Sequence, residues 1–403
     1  MPQFEPFPAL RYSQKSGALL DITAPPYDVL SPADRDAYAR RSPHNIVHVD
    51  CPLDADGPSR YDKAKTDLDA WRASQMLELD PKPSYTLYRM SFRDDTGRAR
   101  HTVGVVGALE VVDVGAGGVL PHEQTTPKAK TDRLDLTRAT LCNLSPVWGL
   151  SLAAGLSAVL EAPGEILGSF VDEDGVEHSV ERVTDPNRID AIRNAVSSSP
   201  VVIADGHHRY AIARTFRDEL RESNSPHAEA AGLTMTYVAE LVEEQLSIAA
   251  IHRLVGKLTA EQMAAVLSAF YDNVGDGFVT DRTLSMMDAQ GAICLVKPDG
   301  SATLFREKPE LFTDVRALDS ARLEHAITQS GHSLESTGIA YQHGVDEVVN
   351  ELRNGAAQCA VLIRPVSLAE IRRTADEGLL MPPKSTFFTP KLRTGLVMRP
   401  LDA

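Results

Sequence analysis

Residues 201–210 read VVIADGHHRY. An apolar run that ends in Asp205, turns at Gly206 and continues into His207, His208 and Arg209 predicts a strand, a tight turn and a helix. The first turn of such a helix presents unpaired backbone N–H groups, and its dipole favours an anion there. Gly206 lets a phosphate approach the main chain closely. Arg209 offers a planar fork matched to phosphate oxygens, and His207 and His208 can donate hydrogen bonds. Asp205 is the odd member. It repels phosphate unless it holds a Mg²⁺ ion, fixes a histidine tautomer or takes a substrate proton. The bland alternative is a solvated turn with a capping aspartate.

Two further stretches carry reactive types. HEQTTPKAKTDR at 122–133 places His122 and Glu123 after a glycine-rich turn and Arg133 beyond a polar loop. A glutamate beside a histidine can act as a general base, and Arg133 can clamp phosphate. The residue three past Glu123 is Thr126, so the HExxH pattern of zinc proteases fails. KSTFFTPKLRTG at 384–395 sets Lys384, Ser385, Thr386 and Lys391 around two phenylalanines. Lys-Ser-Thr matches the end of a phosphate loop, but no GxxxxGK precedes it, so a Walker motif is rejected. The bland readings are a charged surface loop and a strand with a basic face. A weaker candidate is His252, in IHRL at 251–254, where a histidine is more often a core residue than a catalyst.

Composition limits the classes open to these residues. Of 403 residues, 41 are Lys or Arg and 56 are Asp or Glu, a net charge of −15 that disfavours nucleic acid and anionic membranes as partners. No apolar stretch reaches the roughly 18 residues of a membrane span, and the first residues, MPQFEPFPALRY, lack the pattern of a signal peptide. The four cysteines, Cys51, Cys142, Cys294 and Cys359, are scattered without metal-type spacing. Reduced thiols and a cytoplasmic location are the expectation.

The elements that must position these groups are read from periodicity and punctuation. Ser31-Pro32 predicts the cap and first residue of a helix through 41, and residues 60–77 carry apolar positions at helical spacing. SPHNIVHV at 42–49 reads as ending in a strand; 85–92, 101–112 and 201–204 read as strands too. Thr131 or Asp132 is expected to cap a helix through Leu141, and 151–184 to hold short strands around a DEDG turn. A helix follows from 186, and another runs from the opening motif to about 223. The last third alternates helices (260–271, 316–329, 345–354) with the strands ICLVKP, ATLFR and CAVLIRP. The length predicts more than one domain, with soft boundaries at the glycine cluster near 115–118 and near 256–260.

FPALRY, APPYDVLS, SPHNIVH, HEQT…DRL…NLSP, ADGHHRYAIA, IHRLV and MPPKSTFFTPKLRTGLV, in that order, resemble domain-of-unknown-function family 1015, nearly end to end. That family is similar to the free serine kinases and, more remotely, to ParB/sulfiredoxin-like nucleotide-binding domains. The resemblance implies a mixed α/β (α+β) fold: an N-terminal α+β domain over 1–115, a ParB/sulfiredoxin-like core over 116–258 and a C-terminal α+β domain over 259–403. It implies that Gly206, His207, His208 and Arg209 are phosphate ligands; on the residue types, Arg133, Lys384 and Lys391 are expected to neutralise the transferring group, with Ser385 and Thr386 as further nucleotide-site candidates. Asp205 becomes a metal- or substrate-facing acid, and Glu123, with His122 beside it, the candidate base. The expected cofactors are ATP or ADP with Mg²⁺; the expected partners are a serine-like small molecule and, as an assembly, a homodimer.

Phosphoryl transfer fits these residue types independently, because it demands positioning and charge neutralisation more than covalent chemistry. The function expected is therefore a nucleotide-dependent phosphotransferase acting on a small hydroxyl compound, serine first. The rivals are a ParB-like nucleotide-hydrolysing or nucleotide-sensing protein, a metal-dependent hydrolase on His122, Glu123, His207 and His208, and a scaffold.

Overall fold

The computed structural model describes residues 1–94, 97–121, 130–382 and 384–402. The chain is a mixed α+β protein that divides into two compact units. The first comprises 1–247, 375–379 and 390–403, and the second 248–374 and 380–389. The glycine cluster at 115–118 falls inside the first.

Among the described residues, the first unit is built on a nine-stranded sheet. Its order is Val119–Pro121, Val201–Asp205, Val147–Ser151, Leu233–Glu240, Ala99–Glu110, Tyr85–Arg93, Glu177–Val183 and Glu165–Val171, with Phe4–Glu5 added to Ala99–Glu110. Most pairs are antiparallel. Val201–Asp205 runs parallel to Val119–Pro121, and Leu233–Glu240 parallel to Val147–Ser151. The strand that ends in Asp205 therefore has a neighbour on each side, and its residues Val201, Val202 and Ile203 are buried. Val201 and Ile203 belong to a core with Phe4, Tyr85, Val105, Leu156 and Val238. Gly104 is needed for packing, since a Cβ there would lie 2.2 Å from Cζ of the buried Tyr237.

The helix Pro32–Arg41 forms as expected. Ser31 Oγ accepts from the Asp34 N–H at 3.2 Å, and the Asp34 carboxylate accepts from the Ser31 N–H at 3.1 Å, a reciprocal cap worth about 1 kcal/mol. The strand expected at the end of 42–49 is instead a helical turn, Val47–Asp50. Asn45 explains it: its side-chain oxygen accepts from the Val47 N–H at 3.0 Å while its amide donates to the carbonyls of Asp21 and Thr23. The helix expected to be capped by Thr131 or Asp132 begins at Lys130, so both lie within its first turn.

The second unit carries a six-stranded antiparallel sheet ordered Tyr271–Phe278, Ser301–Glu307, Ala292–Val296, Cys359–Leu362, Ile251–Val255 and Ile339–His343. One apolar cluster of this unit is centred on Val255, Met263, Leu267, Leu295 and Val361, and another on Cys294, Val348 and Leu362. No helix among the described residues is long and apolar enough to cross a membrane.

Candidate functional site

The opening motif folds as strand, turn and helix. Val201–Asp205 ends in the sheet, Gly206 takes the left-handed region at φ 84°, and the helix His207–Glu222 starts at once. Its buried residues Tyr210, Ile212 and Phe216 hold it down. Tyr210 OH donates to the Glu110 carbonyl at 2.8 Å and accepts from the Val112 N–H at 2.9 Å. Buried Arg217 donates to the Val111 carbonyl. The helix is thus tied to the end of the strand Ala99–Glu110.

At that end Asp205 is the counter-ion of two cations. Arg209 donates to its Oδ2 at 2.7 Å, and Lys391 donates to its Oδ1 at 2.9 Å across 186 residues of sequence. Burial by itself raises the proton affinity of Asp205. The charges of Lys391 and Arg209, with His207 adding, outweigh it and hold the carboxyl well below the usual range. Arg209 also donates to the Pro146 carbonyl and lies 3.6 Å from Asp28. Its Nε is buried with no hydrogen-bond partner among the described residues. The guanidinium folds back over the turn: a Cβ on Gly206 would sit 3.0 Å from Arg209 Nε and 3.1 Å from Cζ. His207 and His208 stand half-buried in the first helical turn.

Arg133 reaches the same neighbourhood from the helix Lys130–Thr140. It stands 3.3 Å from the Asp50 carboxylate, donates to the Asp50 carbonyl, and lies over the Tyr27 ring at 4.3 Å. Tyr27 and Asp50 each feel the charges of both Arg133 and Arg209. Burial pushes the Tyr27 hydroxyl up to about 12. Burial also raises the Asp50 carboxyl, and the two arginines only partly offset it. Asp205 and Asp50 therefore sit on opposite sides of the ordinary carboxylate range, the pattern that separates a fixed counter-ion from a proton acceptor. A cavity of about 60 Å³ adjoins Asp50 and Arg209, with Tyr27, Arg133 and Asn143 also in its lining. That is room for a few waters, less than the roughly 300 Å³ at which ligand pockets begin.

Of the residues singled out in sequence, Asp205, Arg209 and Lys391 are in direct contact, with Gly206 beneath Arg209 and Arg133 sharing the Tyr27–Asp50 surroundings. His122 and Glu123 lie outside the described residues. Lys384, Ser385 and Thr386 belong to the second unit. There the Lys384 carbonyl accepts from Arg253 at 3.3 Å, Ser385 Oγ donates to the Pro382 carbonyl at 2.7 Å, and Phe387 stacks on His343 at 4.4 Å. Those contacts bring the family stretches IHRLV and KSTFF together. Tyr27, Asp28 and Asp50 are site residues that sequence reasoning missed. The first two stand in APPYDVLS, where a Tyr-Asp pair fixed by two prolines was the available signal; Asp50 offered none.

A Mg²⁺ ion at Asp205 does not fit this arrangement. Both carboxylate oxygens already face cations, and among the described residues no group of three or more His, Cys, Asp or Glu is placed to hold a metal. All four cysteines are free thiols.

The fold and site are those of a mixed α+β protein with a cationic cluster at a helix N-terminus. The chain belongs to the family described as "Protein of unknown function (DUF1015)", whose sequence profile matches residues 4–321. No curated protein matches it. Among solved structures it is similar to SbnI with a C-terminal truncation from Staphylococcus aureus, at 13% identity and a TM-score of 0.39, covering 74% of this chain and 88% of that one. It is also similar to a mutant free serine kinase in complex with ADP, at 11% identity and a TM-score of 0.36, covering 68% of this chain and 84% of that one. A conserved hypothetical protein from Pyrococcus furiosus matches at 10% identity and a TM-score of 0.35, covering 68% of this chain and 87% of that one.

Proposed function

We propose that this protein is a nucleotide-dependent phosphotransferase that phosphorylates the hydroxyl of a small molecule, with free serine, the acceptor implied by the sequence resemblance, as the first candidate. The observation that carries the reading is the convergence of Arg209 and Lys391 on Asp205 at the left-handed Gly206 turn, where the helix His207–Glu222 begins. The dipole of that helix favours phosphate there. A phosphate would take over the donors that Asp205 and Asp28 now hold in place, and it would meet the one donor of Arg209 that lacks a partner.

In this reading Gly206, His207, His208 and Arg209 hold the phosphates of ATP or ADP, while Lys391 and Arg133 balance charge on the transferring group. The acceptor oxygen attacks the terminal phosphorus, the bond from that phosphorus to the bridging oxygen breaks, and the nucleotide leaves one phosphate shorter. The proton of the hydroxyl passes to a carboxylate. Asp50 supports that role through its raised proton affinity, and Glu123 is the second candidate. Asp205 acts as a positioning residue for its two cations. No step runs through a protein-held metal; Mg²⁺ enters the assay with the nucleotide.

The test is phosphoryl transfer from ATP or ADP, with Mg²⁺, to L-serine, followed by phosphorus NMR. Phosphoserine formed by the wild type and not by Arg209→Ala supports the proposal. The rival of a nucleotide sensor draws on the counter-ion state of Asp205, which leaves it a poor base. Tight nucleotide binding without phosphoserine, or hydrolysis indifferent to serine, would move the assignment to that rival. Absence of nucleotide binding would remove both.

A further inference from the structure

The second unit holds a separate polar cavity of about 240 Å³, at the end of the strand Cys359–Leu362. Two helices begin on its wall. The helix Asp319–Gln329 starts after Leu318 without a side-chain cap, and the helix Leu368–Asp376 starts after Ser367, whose Oγ accepts from the Glu370 N–H at 3.2 Å. Each helix end carries about half a positive charge.

The acids on this wall are largely spoken for. Asp319 binds Arg364 at two points, 2.7 and 3.0 Å, and accepts from the Arg364 backbone N–H at 2.8 Å. Glu370 accepts from Arg316 at 2.6 Å and pairs with Arg373 at 3.0 Å. Asp288, also on the wall, adds to the field around Arg364. Arg364 in the wall, with Arg316 and Arg373 from outside the lining, offsets these three carboxylates, and the two helix ends add partial positive charge to the wall. Two donors are also left over. Ser320 lines the cavity in the first turn of its helix, is 2% exposed, and its hydroxyl has no partner among the described residues. Arg316 Nη1, on the guanidinium that binds Glu370, is buried in the same state. A buried donor without an acceptor costs about 1–3 kcal/mol. Ser320, in the cavity wall at a helix start, marks a place built for an acceptor that carries negative charge.

We infer that this cavity is a binding site for the oxyanion group, phosphate or carboxylate, of a metabolite smaller than a nucleotide. Ser320, Arg364 and the uncapped start of the helix Asp319–Gln329 supply the contacts. Its volume lies below the usual range for drug-sized ligands, which fits a ligand of a few heavy atoms around the charged group. The site uses none of the residues assigned to phosphoryl transfer, so it stands or falls apart from that proposal.

The probes are inorganic phosphate and acetate, titrated into the full chain by calorimetry at constant ionic strength against chloride. Variants Ser320→Ala, Arg364→Gln and Arg209→Ala are measured beside the wild type. The expected result is that one of the two anions binds the wild type, that a binding event survives in Arg209→Ala, which removes only the contribution of the Gly206 turn, and that this event is about tenfold weaker in Ser320→Ala, the loss of one hydrogen bond to a charged group. Arg364→Gln is expected to weaken it at least as much. Because Ser320→Ala removes only one oxygen, it keeps the test open if Arg364→Gln fails to fold. Binding lost in Arg209→Ala but kept in Ser320→Ala would put the anion at the Gly206 turn and overturn the inference. Equal binding by all variants, or no binding of either anion, would overturn it as well.

Discussion

Gly206 and Asp50 make opposite demands on the chain. Gly206 is fixed by conformation: at φ 84° a side chain is strained, and a Cβ would crowd Arg209 at 3.0 Å. Gly206→Ala is expected to cost about 1–3 kcal/mol in urea unfolding and to weaken nucleotide binding by displacing Arg209. A variant that binds as the wild type does would show that the fold of Arg209 over the turn is not used. Asp50 is fixed by electrostatics. If it takes the acceptor proton, Asp50→Asn should lower turnover roughly 100-fold or more while nucleotide affinity, measured separately, stays within a factor of a few. A loss confined to affinity would reassign Asp50 to holding Arg133. At this scale the sequence was partly legible. Residue type and local spacing marked Asp205 to Arg209, and charge marked Lys391. Nothing local tied Lys391 to Asp205, or Asp50 to Arg133, because those pairs join distant segments.

Elements were readable where one signal dominated. The Ser31-Pro32 start, the apolar run at 201–204 and the helix after Gly206 formed as expected. The turn Val47–Asp50 did not, because the side chain of Asn45 overrode the extended preference of Ile46, Val47 and Val49. The strand Tyr271–Phe278 went unread for another reason. Its sequence YDNVGDGF is polar and glycine-rich, and most of it is exposed at the edge of its sheet, so alternation never shows. Two predictions belong here. Tyr210→Phe removes the hydroxyl that ties the site helix to Glu110 and Val112. It should cost about 1–3 kcal/mol of stability in chemical unfolding, and little change would mean the helix is held by its apolar face alone. The strand Ile251–Val255 buries His252, whose Nδ1 accepts from the Ile363 N–H at 3.2 Å. Burial, helped by Arg253 and His343, pushes its ring from 6.5 down to about 4. The folded chain therefore keeps this ring neutral while the unfolded chain protonates it. Its contribution is present above about pH 6.5, declines as pH falls toward 4, and reaches about 3 kcal/mol in all. Stability measured across that window should lose this slope in His252→Gln; an unchanged slope would assign it to other groups.

For the molecule as a whole, charge is the firmest sequence-level statement. At −15 the chain should not bind random duplex DNA in fluorescence anisotropy, even at the low salt that exaggerates such contacts. Binding that weakens steeply with salt would reveal a basic surface hidden in the mean. Family membership and the mixed α+β fold were likewise legible, the first from the order of short motifs along the chain, the second from the alternation of strand and helix signals. The make-up of the compact units was not, because the first unit takes up residues 390–403 after the chain has built the second.

That discontinuity has a consequence for biosynthesis. Lys391 is polymerised 186 residues after Asp205. At roughly 5–20 residues per second, a ribosome needs about 10 to 40 s to make that stretch. Throughout that interval the nascent chain presents Asp205 and Arg209 without their third partner. A newly made first unit therefore lacks the Lys391–Asp205 ion pair until Lys391 has been added and has left the exit tunnel, which delays completion of this charge cluster until late in synthesis.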